Sequence, residues 1–269
     1  MCVTCGCSDE ATPSIHDLSD DSHHHIHDHD HSHDHGHDHG HGHDHVHTRR
    51  EAEEILLEQR VLAKNDHLAE RNRGWFDARE VLALNLMSSP GAGKTTLLVR
   101  TLKELGGEVS VIEGDQETAL DAERIRETGA KVIQVNTGKG CHLEADMVWA
   151  GLQRLRPAIG SVLFIENVGN LVCPAMFDLG EQARVVLFST TEGEDKPTKY
   201  PHMFQTADLV LLTKVDLLPY LDFDLDRALD AVRAVNPDAQ LMQVSSRSGE
   251  GMDDWYRWIR EHTIALSHE

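Results

Sequence analysis

Lysine and arginine are missing from the first 47 residues, and over all 269 residues they number 25 against 46 aspartates and glutamates. The formal net charge is −21, with −10 of it on residues 1–47 and −11 on residues 48–269. Duplex and single-stranded nucleic acids are bound largely by basic side chains that displace counterions, so this deficit argues against a nucleic-acid partner and against an anionic membrane surface. Also missing is any apolar run near the roughly 18 to 20 residues that span a bilayer. The N-terminus has neither the basic nor the apolar region of a signal peptide, and the cytoplasm is the expected compartment. Cysteine is scarce and odd in number: five in all, three of them within the first seven residues. That count fits reduced thiols that bind metal better than a disulfide framework.

Histidine is abundant in one place. Fifteen of the twenty histidines fall at His16 and between His23 and His47, interleaved with Asp and Gly. Such a segment has nothing apolar to bury, so residues 1–47 are expected to form a disordered, metal-binding tail. Between Arg49 and Arg73, Ile55, Leu56, Val61, Leu62 and Leu68 recur at helical spacing among charges, which predicts an amphipathic helix within residues 48–80 whose apolar face needs a partner. Residues 81–269 then alternate short apolar runs with helix-length stretches. The runs are Val81–Met87, Val109–Glu113, Lys131–Val135, Val162–Ile165, Val185–Phe188, Leu209–Thr213 and Leu241–Val244. This is the pattern of parallel βαβ units, hence of an α/β domain with a doubly wound, mostly parallel sheet whose ligands bind beyond the carboxyl ends of the strands.

The first of these strands runs into Ser88–Thr96, which matches G-x-x-x-x-G-K-[ST] except that Ser88 replaces the first glycine, and a helical stretch follows. Gly91, Ala92 and Gly93 would wrap backbone N–H groups around phosphates, with Thr96 in the first turn of the helix. Lys94 would reach the β and γ phosphates and Thr95 would hold Mg²⁺. Downstream, Thr213, Lys214 and Asp216 form a T-K-x-D at another strand end. A carboxylate at Asp216 accepts from both guanine N1–H and the exocyclic amine, whereas adenine leaves it unpaired, so GTP is the expected nucleotide. Thr213 stands where many GTPases carry Asn, which alters one contact to the base or the loop, and Ser245 and Ser246 are placed to contribute base contacts. Asp115 is the candidate for orienting the attacking water and Glu166 for a further carboxylate on Mg²⁺. Gly169 is the candidate amide that senses the γ-phosphate.

Metal chemistry is written twice. Cys2, Cys5 and Cys7 form C-x-x-C-x-C, three thiolates able to meet at one soft or borderline ion. Inside the domain, Cys141 and His142 follow one strand and Cys173 another, four residues beyond Gly169. Adjacent Cys and His cannot easily close a four-coordinate site alone. Two copies meeting in a dimer supply enough ligands, and a simple buried cysteine pair is the competing reading. Ni²⁺, Zn²⁺ and cobalt all suit these donors.

These motifs resemble the HypB family of hydrogenase maturation GTPases. The resemblance runs from the leading C-x-x-C-G-C through Ser88–Thr96, Asn136–Leu143, Ile165–Pro174, Glu192–Pro197 and Thr213–Tyr220. It is closer than the resemblance to the urease accessory GTPases of the UreG family, which lack the leading cysteine motif and carry Cys-Pro-His at the metal position. The resemblance implies a P-loop NTPase fold of the SIMIBI type, slow GTP hydrolysis with Mg²⁺ and a GTP-dependent homodimer. It further implies nickel storage and insertion into [NiFe]-hydrogenase, with a HypA-like zinc protein and the hydrogenase large-subunit precursor as partners. Cys2, Cys5 and Cys7 match a tight nickel site found in some members, and Cys141, His142 and Cys173 match a nickel or zinc site at the dimer interface. Lys196 falls in a loop that reaches toward a nucleotide across the dimer. A metal-storage protein with a vestigial GTPase fold is the reading from another class.

Overall fold

The computed structural model describes residues 14–17, 45–115, 120–138 and 140–266. Cys2, Cys5, Cys7 and most of the histidine-rich run lie outside the described residues. The first element is a four-residue strand, β1 (Ser14–Asp17), an element not expected from the sequence. It pairs antiparallel with the edge of the sheet, Ser14 opposite Asn136 and Asp17 opposite Ile133. Edge strands present unpaired backbone groups, so a four-residue segment needs no apolar side chains to be held there.

A single long helix, α1 (His45–Asp77), precedes the domain proper. β2 (Leu82–Ser88), α2 (Lys94–Glu104), β3 (Val109–Asp115), α3 (Leu120–Arg126), β4 (Lys131–Asn136), α4 (Ala145–Leu155) and β5 (Val162–Glu166) follow. The second half adds α5 (Cys173–Met176), β6 (Ala183–Ser189), α6 (Lys196–Lys199), α7 (Pro201–Gln205) and β7 (Leu209–Thr213). After a 3₁₀ turn at Val215–Tyr220 it closes with α8 (Leu225–Val235), β8 (Gln240–Val244) and α9 (Met252–Leu266). The strand order is β1-β4-β3-β5-β2-β6-β7-β8, with every pairing parallel except that of β1. All seven expected strands form, each within two residues of its predicted limits.

Why the sheet is covered on both faces is visible along β2, where every residue is buried. Side chains alternate across a strand. Leu82, Leu84 and Leu86 therefore pack with Leu97, Leu98, Trp255 and Ile259 of α2 and α9. Ala83 joins Ile112, Leu163, Val148 and Phe76 on the α1 and α4 side. β6 and β7 extend the core toward α7 and α8 through Phe188, Phe204, Leu212 and Val232.

The contact of α1 begins further along the helix than its apolar residues suggest. Leu56 and Val61 are exposed and Leu62 and Leu68 half-buried, and the buried stripe, on the same side as Val61 and Leu68, is Asn65, Ala69, Asn72 and Phe76. Two of those four are amides, and each bonds backbone groups far away in sequence. Asn65 Oδ1 accepts from Ala145 N at 2.9 Å and its Nδ2 donates to the Asp178 carbonyl at 2.7 Å. Asn72 Nδ2 donates to the carbonyls of Ala145 and Leu179. Gly180, at φ +85°, allows the close approach, since a Cβ there would stand 2.4 Å from the Ala69 carbonyl oxygen. Hydrogen bonds from two asparagines, together with the buried Ala69 and Phe76, dock this helix.

Candidate nucleotide and metal site

β2 ends at Ser88 and α2 begins at Lys94, so the glycine-rich stretch is a turn from strand to helix at the carboxyl edge of the sheet. Gly91 and Gly93 sit at φ +78° and +95°, in the left-handed region that glycine occupies without penalty. Two side chains of the T-K-x-D segment close over the loop. Thr213 Oγ1 donates to the Ala92 carbonyl at 2.6 Å, and Lys214 Nζ donates to the Gly91 carbonyl at 2.7 Å. Thr213, standing where many GTPases carry Asn, thus ties the T-K-x-D segment to the glycine-rich loop. Thr96, one turn into the helix, is exposed and accepts a long 3.4 Å contact from Arg124 Nη2.

Lys94, Thr95 and Glu166 come together as the sequence suggests. Lys94 Nζ lies 2.9 Å from Glu166 Oε1, and Thr95 Oγ1 lies 2.6 Å from the same oxygen. The Glu166 side chain is 2 % exposed, and its Oε2 is buried without a hydrogen-bond partner. Gly169 packs against the phosphate loop, since a Cβ there would come within 3.3 Å of three Pro90 atoms. Asp115 ends β3 on the strand next to β5.

Two carboxylates escaped the sequence reading. Asp121, in the first turn of α3, places Oδ2 3.0 Å from Thr95 Oγ1 and is also bound by Arg124. Glu113 lies inside β3, opposite Glu166 in the strand register, and only 3 % of it is exposed. Its Oε2 is likewise buried without a partner. Burial, then the charge of Glu166 and then that of Asp115, pushes the Glu113 carboxyl up to about 8. A hydroxyl and a group of carboxylates with two orphaned oxygens form an all-oxygen donor set of the hard kind that suits Mg²⁺.

Glu113 makes stability pH-dependent in a defined direction. Its folded pKa is raised, so the folded chain keeps a proton that the unfolded chain releases, and the contribution is fully present below the unfolded value of about 4.5. It is lost as pH rises through about 8. Without Mg²⁺ or nucleotide, thermal melts should show stability falling over this range, by at most about 5 kcal/mol from this group. Glu113→Gln should flatten the slope; an unaltered slope in that variant would show that Glu113 ionises normally.

At the base end, Asp216 Oδ1 accepts from Ser245 Oγ at 2.6 Å. Ser245 is fully buried, and its oxygen accepts from the amides of Arg247 and Ser248, so its proton points at Asp216. The Ser246 carbonyl accepts from Arg100 Nη1. Ser245 therefore orients the carboxylate, a role distinct from direct contact with a base. Lys196 Nζ is 3.0 Å from Glu192 Oε1, an oxygen that also accepts from Ser89 of the phosphate loop.

Cys141, His142 and Cys173 converge, with their ligand atoms all within 4.8 Å of one another. The two Sγ atoms are 2.9 Å apart and Cys141 Sγ is 3.7 Å from His142 Nδ1. The His142 ring stacks on Phe177 at 3.9 Å between centroids, which fixes its plane. Its Nε2 stands 3.6 Å from Glu144 Oε1, too far for a hydrogen bond. Two sulfurs and a nitrogen form a borderline-soft set that leaves one position of a tetrahedron open, unlike the donors of a mere cysteine pair.

A parallel sheet with a glycine loop between strand and helix, a T-K-x-D segment tied to that loop and a converging Cys/His cluster defines a nucleotide-binding α/β domain that also gathers metal-ligating side chains. The family profile described as CobW/HypB/UreG, nucleotide-binding domain, matches residues 82–243. The chain is 58% identical over 207 residues to hydrogenase maturation factor HypB of Escherichia coli (strain K12), spanning 76% of this chain and 71% of that protein. Its fold is similar to that of a crystal structure of HypB from Archaeoglobus fulgidus, with a TM-score of 0.70 and 37% identity over 75% of this chain and 99% of that one. The crystal structure of HypB from Helicobacter pylori in complex with nickel is similar at a TM-score of 0.71 and 36% identity, over 75% of this chain and 96% of that one. The chain belongs to the HypB family of hydrogenase maturation factors. Among the described residues no helix is long and apolar enough to cross a membrane.

Proposed function

We propose that this chain is a GTP-hydrolysing metallochaperone that carries nickel for hydrogenase maturation and changes its hold on the metal with the nucleotide bound. The observation that carries the reading is the span from Glu166 to Cys173. One end touches Lys94 and Thr95, and the other places a thiol 2.9 Å from Cys141. Gly91, Ala92, Gly93, Lys94, Thr95 and Thr96 bind the phosphates, and Gly169 lies where the γ-phosphate is sensed. Asp216, oriented by Ser245, reads guanine. Thr95, Glu166 and Asp115 hold Mg²⁺, which when bound supplies charge neutralisation of the phosphates. Asp115 orients water.

Nickel is the cargo, shared between Cys2, Cys5 and Cys7 of the tail and the Cys141, His142 and Cys173 site, which also accommodates zinc. The open ligand position and the adjacency of Cys141 to His142 favour completion of the site in a homodimer. Delivery to the hydrogenase precursor, alongside a HypA-like zinc protein and in the cytoplasm, follows from the family.

The test uses the full chain with Cys2→Ser, Cys5→Ser and Cys7→Ser, which leaves Cys141 and Cys173 as its remaining thiols. Thiolate-to-nickel charge-transfer absorption then reports this site alone. Nickel affinity should differ by about 5- to 150-fold between GDP and a non-hydrolysable GTP analogue. Equal affinity in both states would leave a metal-storage protein and defeat the switching reading.

A further inference from the structure

Between the phosphate-binding edge and the metal cluster lies one buried side chain with all its polar atoms engaged, Asn167. It directly follows Glu166, the last residue of β5, and is fully buried. Its Oδ1 accepts from the backbone N–H groups of Leu143 and Val168, each at 3.0 Å. Its Nδ2 donates to Asn85 Oδ1 at 3.3 Å. Asn85 in turn donates to Glu181 Oε1, which Arg184 holds at 2.7 Å. The asparagine is thus gripped from the interior of the sheet and grips the metal loop two residues after Cys141.

A second contact reaches the same point. Leu143 packs over Gly114, the residue before Asp115, so closely that a Cβ on Gly114 would come within 2.9 Å of three Leu143 carbons. Each of the two strand ends with a proposed phosphate-facing carboxylate therefore has a neighbouring residue that touches Leu143: Asn167 beside Glu166, and Gly114 beside Asp115. The far end of the metal loop is fixed independently, by Asn65 on the Ala145 amide. A displacement of the Glu166 backbone has one short route to Cys141 and His142 that bypasses the longer segment to Cys173.

We infer that Asn167 is a positioning residue that carries nucleotide state to the Cys141 and His142 half of the metal site through its hydrogen bond to the Leu143 amide. The inference rests on the proposed nucleotide-dependent hold on metal and names the connection that makes both strand-end cysteines respond together. A buried bond is suited to this task because a small shift of the acceptor either moves the loop with it or leaves the amide without a partner, and the second alternative is unfavourable.

The experiment titrates Ni²⁺ into the full chain carrying Cys2→Ser, Cys5→Ser and Cys7→Ser, with and without Asn167→Ala, in GDP and in the GTP analogue. The parent should show the nucleotide-dependent affinity ratio, and Asn167→Ala should bring that ratio below about twofold while GTP affinity stays within about threefold of the parent. A parent ratio near one overturns the switching reading and this inference with it. A parent ratio that persists undiminished in Asn167→Ala overturns the inference alone. If Asn167→Ala does not fold, hydrogen exchange at the Leu143 amide of the parent decides. The inference requires protection that differs between GDP and the analogue, and identical protection alongside differing nickel affinity overturns it.

Discussion

Lys94→Ala should lower GTP turnover by about 10²- to 10³-fold, the loss expected when a group that stabilises charge on the transferring phosphoryl is removed. The structure adds a complication that the experiment must separate. Lys94 and Glu166 form an ion pair at 2.9 Å with side-chain exposures of 12 % and 2 %. Removing one partner of such a buried pair leaves the other charge without compensation, a loss on the order of 3 to 5 kcal/mol. Low activity in Lys94→Ala could then reflect a poorly folded chain. The double variant Lys94→Ala with Glu166→Gln removes both charges, and Gln still accepts from the Thr95 hydroxyl. It should melt close to the parent while remaining as inactive as the single variant. Turnover that recovers together with stability in the double variant would mean that Lys94 is structural and that the phosphates are held by other groups. Maturation of hydrogenase in low nickel should fail with either variant.

Sequence reading went furthest where local pattern and chemistry coincide. Parallel strands buried on both faces are near-continuous apolar runs, so β2 to β7 stood out, the more exposed edge strand β8 kept a short apolar run, and the sites attached to the strands followed because ligands gather at strand ends. Cys141, His142 and Cys173 could be grouped because their residue types are rare and all follow strands. What stayed hidden are buried polar residues whose partners are distant in sequence. Glu113 reads as a single polar interruption of a strand, and its burial, together with the pairing with Glu166 53 positions later in the adjacent strand, gives it a perturbed carboxyl. Asn65, Asn72, Asn85 and Asn167 are common residue types with no spacing signal, and apart from the Val168 amide beside Asn167 their partners lie between 24 and 113 residues away. Helix α1 shows the same thing: its periodicity marked Val61, Leu62 and Leu68, but the tightest contacts on that side come from Asn65 and Asn72, which bond backbone groups of distant residues.

The choice of base gives the second large effect. Asp216→Asn should weaken GTP binding by about 10²- to 10³-fold and create affinity for xanthosine triphosphate. Guanine presents two donors, N1–H and the C2 amine, to a carboxylate with two acceptor oxygens. A site built to bind such donors rejects a mismatched partner strongly, because buried polar groups are left unpaired. Replacement by Asn makes one of the two positions a donor, and Ser245 determines which. The Ser245 oxygen accepts from the Arg247 and Ser248 amides, so its proton is committed to residue 216 at 2.6 Å. In Asp216→Asn the amide oxygen must therefore face Ser245, and the NH₂ must face away from it. There it opposes the C2 amine of guanine but pairs with the C2 carbonyl of xanthine. Adding Ser245→Ala to Asp216→Asn removes the constraint, lets the amide rotate and should blunt the exchange of specificity. Competition between the two triphosphates for a fluorescent nucleotide analogue measures both changes. Parent-like affinity for GTP in Asp216→Asn would remove Asp216 from the base site. If the exchange holds, xanthosine triphosphate should alter nickel affinity in Asp216→Asn as the GTP analogue does in the parent, because the proposed route to the metal loop starts from the phosphate end of the site, at Glu166 and Asn167, and does not depend on which base is bound.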